Sequence, residues 1–343
     1  MLKFSLLVPI YNGERYLERL FISLLSQDIP HSEYEIVCVD DCSKDHSVEI
    51  IEHYQSQYPN FRLIKNKVNS RIATNINTLV EVAYGKYIWI LGQDDYIEEN
   101  CLNGLWQRLE KDNLDVLVFN YRRVYEDETT QTECLVVQPS IAMRGLEWIK
   151  QQFDSRDYCM YMLGYEWRAV FRTEHWRGQN IRCVDGMNYE DTIIMLKAIV
   201  YANAVASIED MLYNYRINAL SITYWENFVK RGDLIYEFAF MVGQEVEDFY
   251  NDLVKIDVYV SANLYRHLKH RYNNFTFDLI RTPIAHKREF YRLLAKNREF
   301  VKSKRGYLNW KAKILTNRVL GYPIACLCYY GYKTYKNVHH MIK

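Results

Sequence analysis

Apolar residues fall in short, nearly continuous runs through the first 120 positions. "FSLLVPI" (4–10), "YEIVCVD" (34–40), "FRLIK" (61–65), "KYIWILG" (86–92) and "LDVLVFN" (114–120) each read as a strand. Runs this apolar predict strands covered on both faces, since a half-exposed antiparallel strand would alternate with polar residues. Between them lie helix-period segments near 14–27, 45–57, 71–84 and 98–111. Strand–helix alternation at this spacing predicts βαβ units and an α/β fold with a mostly parallel sheet flanked by helices. From 121 to 220 the pattern is mixed, with a helix over 189–201 and a strand pair in "AVASI" and "MLYNYRI". From about 225 the chain reads as helices with few Gly or Pro breaks. The domains expected are residues 1–223, in halves 1–120 and 121–223, and a helical C-terminal extension over 224–343.

In an open α/β sheet, ligands bind beyond the carboxyl ends of the strands. The residues standing there are Tyr11, Asn12 and Glu14 after the first strand, Asp40 and Asp41 after the second, and Asp94 and Asp95 after the fourth. The four aspartates on this rim repel each other unless they face a cation, a ribose or a base edge that donates hydrogen bonds. The competing reading makes them helix caps: "QDDYIEEN" would open the helix near 98, and "DDCSKD" the helix at 45, with Asp45 as its cap.

Composition narrows the classes. Lys plus Arg equals Asp plus Glu at 43 each, so the chain carries no electrostatic footprint for nucleic acid. The charge is uneven, however: no acid follows Glu299, while Lys302, Lys304, Arg305, Lys311, Lys313, Arg318, Lys333, Lys336 and Lys343 do. Such a basic, aromatic-rich tail can lie on the inner membrane surface, or pack as a terminal helix with a solvated basic face. The eight cysteines show no CxxC pair and no metal-ligand spacing. They read as reduced, and the quickly polar start does not read as a secretory leader. With no apolar run of about 20 residues, the expected location is cytoplasmic, with peripheral contact at the inner membrane face. The single glycine of "PIYNGERYL" argues against the phosphate loop of a nucleotidyltransferase, and the missing G-x-G-x-x-G against a nicotinamide oxidoreductase.

Four segments together carry a resemblance: "SLLVPIYNGERYLERLFISLLSQ", "YEIVCVDDCSKDHS", "AYGKYIWILGQDDYI" and "YEDTIIMLKAI". In this order they resemble the family-2 inverting glycosyltransferases, which have the GT-A fold, over roughly residues 3–220. The resemblance implies a nucleotide-sugar donor, UDP-linked by analogy, and a glycan or lipid-linked glycan acceptor in surface polysaccharide synthesis. It also implies Mn²⁺ or Mg²⁺ as cofactor. Carried over by position, Tyr11 stacks near the donor base, Asp41 accepts a hydrogen bond from it with Asp40 alongside, and Glu14 lies near the same pocket. Asp94 meets the ribose and Asp95 holds the metal. Asp191 is the catalytic base, with Glu190 beside it, and Arg216 in "YNYRINALSIT" is a phosphate contact. Two positions depart from the family pattern. Gly92 stands where the common D-x-D-D motif has its first acid, and Ile76 precedes Asn77 where relatives have Arg, leaving Arg71 to supply that charge. With those departures, a catalytically inactive binding subunit stays open beside the enzyme.

Overall fold

The computed structural model describes residues 2–125, 131–134, 139–154, 165–188, 191–217, 230–257, 279, 284–297, 310–317 and 320–330. The chain divides into two compact units, Met1–Asn218 and Ala219–Lys343.

The first unit is built on one sheet of ten described strands. β1 (Phe4–Ile10) is wholly buried and pairs in parallel with β2 (Tyr34–Asp40) on one side and β4 (Tyr87–Ile90) on the other. β2 pairs in parallel with β3 (Phe61–Lys65). Beyond β4 the sheet turns mixed: β9 (Ala169–Arg172) inserts antiparallel between β4 and β6 (Val116–Val124). β10 (Val205–Arg216) then pairs in parallel with β6 and antiparallel with the short β5 (Tyr96–Ile97). β7 (Gln131–Cys134) flanks β6 and β8 (Ser140–Met143) flanks β10, completing the order β3-β2-β1-β4-β9-β6-β10-β5 with two side strands. The parallel half is the part with continuous apolar runs, which are buried because helices cover both faces.

Those helices are α1 (Glu14–Leu25), α2 (Ser47–Gln57), α3 (Arg71–Val82) and α4 (Leu102–Lys111). α1 buries Tyr16, Leu17, Leu20, Phe21 and Leu24, positions that share one face at 3.6 residues per turn. α5 (Gly145–Asp154), α6 (Thr173–Gly178) and α7 (Asp191–Val200) follow in the second half. The core joins both halves through Phe4, Leu6, Phe21, Tyr87, Trp89, Phe119 and Tyr213.

Two sequence expectations change. The helix expected from 98 begins at Leu102, because Tyr96–Ile97 pair with β10 instead. The two apolar segments over 204–217 are one strand, whose register shifts around exposed Glu209 and Asp210 let both parts pair with β6.

The second unit, as described, contains helices Gly232–Tyr236, Gly243–Leu253, Ile284–Lys296 and Trp310–Leu315, and a further helix over 321–330. Its core gathers Ile235, Tyr236, Phe240, Leu279, Phe290, Leu294, Leu315 and Ala325. Among the described residues no helix is long and apolar enough to cross a membrane.

Candidate functional site

The carboxyl ends of β1, β2, β4 and β10 meet at one rim, and the loops that follow them are tied to each other. Asn12 adopts a positive φ of 51° after β1, and its Oδ1 accepts the Lys44 amide at 2.8 Å. In return its own amide donates to Ser43 Oγ at 2.9 Å. Glu14 Oε2 accepts the His46 amide, and the Glu14 amide donates to Asp45 Oδ2. Glu14 therefore locks the first loop to the second. Asp45 also accepts the amide and hydroxyl of Ser47, the first residue of α2, from one position before the N-cap His46. Burial pushes the Asp45 carboxyl up, but these hydrogen bonds outweigh it and hold it below its ordinary value.

Gln93 supplies a link that nothing in the sequence singled out. Its Oε1 accepts the Tyr11 amide at 2.8 Å and its Nε2 donates to the Tyr11 carbonyl at 3.0 Å. This two-point clamp fixes the backbone of Tyr11 while leaving its ring 46% exposed at the rim.

Asp41 is only 2% exposed and its carboxylate is heavily used. Oδ1 accepts from Asn66 Nδ2 (2.8 Å) and the Ser70 amide (2.7 Å), and Oδ2 accepts the Arg71 amide (2.9 Å). These bonds hold the turn into α3, where Arg71 has a positive φ of 68° and reaches the Gly186 carbonyl through Nη1. Asp40 differs: Oδ2 accepts the Ser43 amide, while Oδ1 is buried with no hydrogen-bond donor among the described residues. Buried acceptors are nearly always satisfied, so this oxygen is an unusual group on the rim.

Asp94 and Asp95 do not cap a helix. The first amides of α4 go elsewhere, Cys101 and Leu102 to Gln27 Oε1 and Asn103 to Asp28 Oδ1. Asp95 instead turns inward and is 4% exposed. Its Oδ2 accepts the Tyr213 hydroxyl at 2.6 Å and its Oδ1 the Arg216 amide at 2.7 Å. Tyr213 Oη in turn accepts the Gly92 amide at 2.9 Å. Burial, and then the neighbouring Asp94 charge, push the Asp95 carboxyl well above the ordinary range, against the pull of these hydrogen bonds. Arg216 also donates from Nε to the Asp94 carbonyl, and its guanidinium lies 5.5 Å from the Tyr16 ring.

This geometry gives Gly92 a reason. A Cβ there would sit 2.7 Å from Asp95 Oδ2 and 3.2 Å from Tyr213 Oη. The space a side chain would need there is taken first by the Asp95 carboxylate, with the Tyr213 hydroxyl and Asp94 Oδ1 next to it. The Tyr213 ring is held by Trp167, stacked at 4.5 Å, and Trp167 also stacks on Tyr165 and Tyr215. Trp167 is thus a buried support under the rim.

Among the described residues, no three His, Cys, Asp or Glu side chains gather as a metal cluster. Mg²⁺ and Mn²⁺ commonly use one or two protein carboxylates and complete their shell from substrate phosphates and water. Asp94 and Asp95 fit that kind of shared site, and a cation would offset the cost of ionising a carboxylate as buried as Asp95. They do not form a protein-only cage.

Asp191 is the first residue of α7, and Glu190 lies outside the described residues. The segment leading to them is docked on α3 by Asn77. Its Oδ1 accepts the Cys183 amide, while its Nδ2 donates to the Cys183 carbonyl and to Asp185 Oδ1. Tyr11, Asp40, Asp41, Asp94, Asp95 and Arg216 therefore belong to one rim, with Arg71 beside it. Glu14 serves the loops.

Residues 5–170 match the family described as Glycosyl transferase family 2. The chain is 28% identical over 226 residues to the poly(ribitol-phosphate) beta-N-acetylglucosaminyltransferase TarS of Staphylococcus aureus, covering 63% of this chain and 35% of TarS. It is likewise 28% identical over 226 residues to the uncharacterised glycosyltransferase EpsJ of Bacillus subtilis, covering 64% of this chain and 62% of EpsJ. The chain thus spans about a third of TarS and under two thirds of EpsJ. The crystal structure of S. aureus TarS 1–349 in complex with UDP-GlcNAc superposes with a TM-score of 0.65 at 20% identity, over 97% of this chain and 92% of that one. That likeness establishes the fold.

Proposed function

We propose that this chain, whose residues 5–170 match the family described as Glycosyl transferase family 2, transfers a sugar, with inversion, from a UDP-linked donor to a hydroxyl of a cell-surface glycan or lipid-linked glycan. The observation that carries this reading is the convergence of Tyr11, Asp40, Asp41, Asp94, Asp95 and Arg216 on one rim at the ends of β1, β2, β4 and β10. Relatives support the substrate class. TarS is named for transfer of N-acetylglucosamine to poly(ribitol phosphate), and its crystal structures hold UDP and UDP-GlcNAc.

In this reading Tyr11 offers an exposed ring to the donor base, and the Asp40–Asp41 pair accepts hydrogen bonds from its edge. Asp94 receives the ribose. Asp95, with Asp94 beside it, would hold Mn²⁺ or Mg²⁺, which when bound neutralises charge on the departing diphosphate. Arg216, and Arg71 from α3, add positive charge near the same phosphates. Asp191 removes the proton of the acceptor hydroxyl as the new bond forms; a sugar hydroxyl is too weak a nucleophile at neutral pH without such a base. Two domains are part of the same proposal: residues 1–223, with donor and acceptor halves meeting near 120, and a helical region over 224–343. So is a site of action on the cytoplasmic side, where nucleotide sugars are held.

The test is direct. Purified protein is assayed with a panel of nucleotide sugars and Mn²⁺, and by thermal shift with UDP. Donor hydrolysis or transfer together with UDP-dependent stabilisation is the expected result. Absence of all three overturns the reading, and UDP binding without turnover identifies a binding subunit. Asp191→Ala should keep donor binding and lose transfer; equal loss of both removes Asp191 from the role of base.

A further inference from the structure

The second unit presents a helix whose outward face is of the wrong kind for water. Over 320–330, Leu320, Pro323, Leu327 and Tyr330 are exposed, and their spacing of three, four and three residues places them on one stripe. Leu320 is 56%, Leu327 70% and Tyr330 59% exposed. The opposite face is anchored. Ala325 is buried in the unit's core, and a Cβ at Gly321 would meet the Leu315 carbonyl oxygen at 2.3 Å. The helix is therefore seated by Gly321, Ile324 and Ala325 and turned so that Leu320, Leu327 and Tyr330 stay exposed. A helix on a water-facing surface normally exposes polar residues instead. The neighbouring helix Trp310–Leu315 adds Ile314, 40% exposed, directly after exposed Lys313 and near exposed Lys311 in sequence.

Apolar exposure by itself does not choose a partner; charge does. From residue 300 onward the sequence has nine Lys or Arg residues and no Asp or Glu. Basic sequence around an apolar stripe is the pattern that binds an anionic lipid surface by combined burial and attraction.

We infer that the stripe Leu320, Pro323, Leu327 and Tyr330, with Lys311 and Lys313 of the preceding helix, docks the protein on an anionic lipid bilayer. The inference does not depend on the transferase reading, because no donor or turnover enters its test. Full-length protein is sedimented with phosphatidylcholine vesicles, with and without phosphatidylglycerol, at low and high salt. Binding is expected only with phosphatidylglycerol, and it should weaken at high salt, where the Debye length is short. Leu320→Glu/Leu327→Glu should reduce it by about tenfold or more, and Lys311→Glu/Lys313→Glu should weaken it at low salt. Ile256→Glu, at an apolar residue exposed elsewhere in this unit, should change nothing. Circular dichroism checks that each variant is folded. The inference is overturned by equal binding to neutral vesicles, by no binding, or by a folded Leu320→Glu/Leu327→Glu variant that binds like the wild type. Concentration-dependent self-association lost in that variant, without vesicle binding, would instead make the stripe a contact between copies.

Discussion

Tyr213→Phe removes a single oxygen from the centre of the rim and leaves the ring, which Trp167 holds by stacking at 4.5 Å and 18°. Two hydrogen bonds go with that oxygen: the one donated to Asp95 Oδ2 at 2.6 Å and the one accepted from the Gly92 amide at 2.9 Å. A buried bond to a carboxyl group contributes about 1.5–3 kcal/mol and a neutral one about 1 kcal/mol, so the variant should lose about 2.5–4 kcal/mol. Asp95 keeps the Arg216 amide as a donor. The assay is urea unfolding of the full chain, following tryptophan fluorescence, which reports the first unit through Trp89, Trp148, Trp167 and Trp176. The midpoint should fall with the slope unchanged, since the surface exposed on unfolding stays the same. Gly92→Ala provides the cross-check. Its methyl group would press on Asp95 Oδ2 and Tyr213 Oη in the wild type. In the Tyr213→Phe background one of those neighbours is gone, so the two costs should add to less than their sum by more than about 0.5 kcal/mol. A Tyr213→Phe loss under about 0.5 kcal/mol, within the range of an ordinary surface substitution, or strict additivity, would refute the idea that this hydroxyl organises Asp95 and Gly92.

Two further outcomes concern pH. Asp45 is held below its ordinary value in the folded chain. Its contribution is therefore present above the unfolded pKa of about 3.9 and is lost as pH falls through the folded value. Asp45→Ala should cost about 1 kcal/mol at neutral pH, measured by urea titration, and the difference should shrink in acid; a gap that stays constant with pH would count against the carboxylate as its source. Lys287, buried in the second unit and donating to the Leu279 carbonyl, has its ammonium lowered by burial from 10.5 to about 8. Between those values the unfolded chain binds more protons than the folded one, so stability of that unit should rise with pH across the window. Lys287→Met should abolish the rise, and an unchanged pH slope in the variant would show that Lys287 is not its cause.

Much of the fold over residues 1–120 can be read from residue order alone. Strands buried on both faces must be apolar almost throughout, so β1, β2 and β3 show at their true bounds, and acids directly after such strands announce a rim. The register of α1 follows from its apolar spacing for the same local reason. What residue order could not decide is who meets whom across long loops. Whether Asp94 and Asp95 cap a helix or face the rim turned on Tyr96–Ile97 pairing with β10, which delays α4 to Leu102. Tyr213 reaches Asp95 from 118 residues away, and Asn77 holds the segment before α7 from 106 residues away. Gln93 looked like spacing between motifs and is a clamp on Tyr11. Gly92 is the clearest case. In the sequence it reads as a missing acid, and only tertiary packing shows that the Asp95 carboxylate and the Tyr213 hydroxyl crowd the place of a side chain there. Local periodicity encodes which face of an element is buried, whereas the partner of a buried polar group is chosen by chain closure over a hundred residues, and that choice leaves no periodic trace.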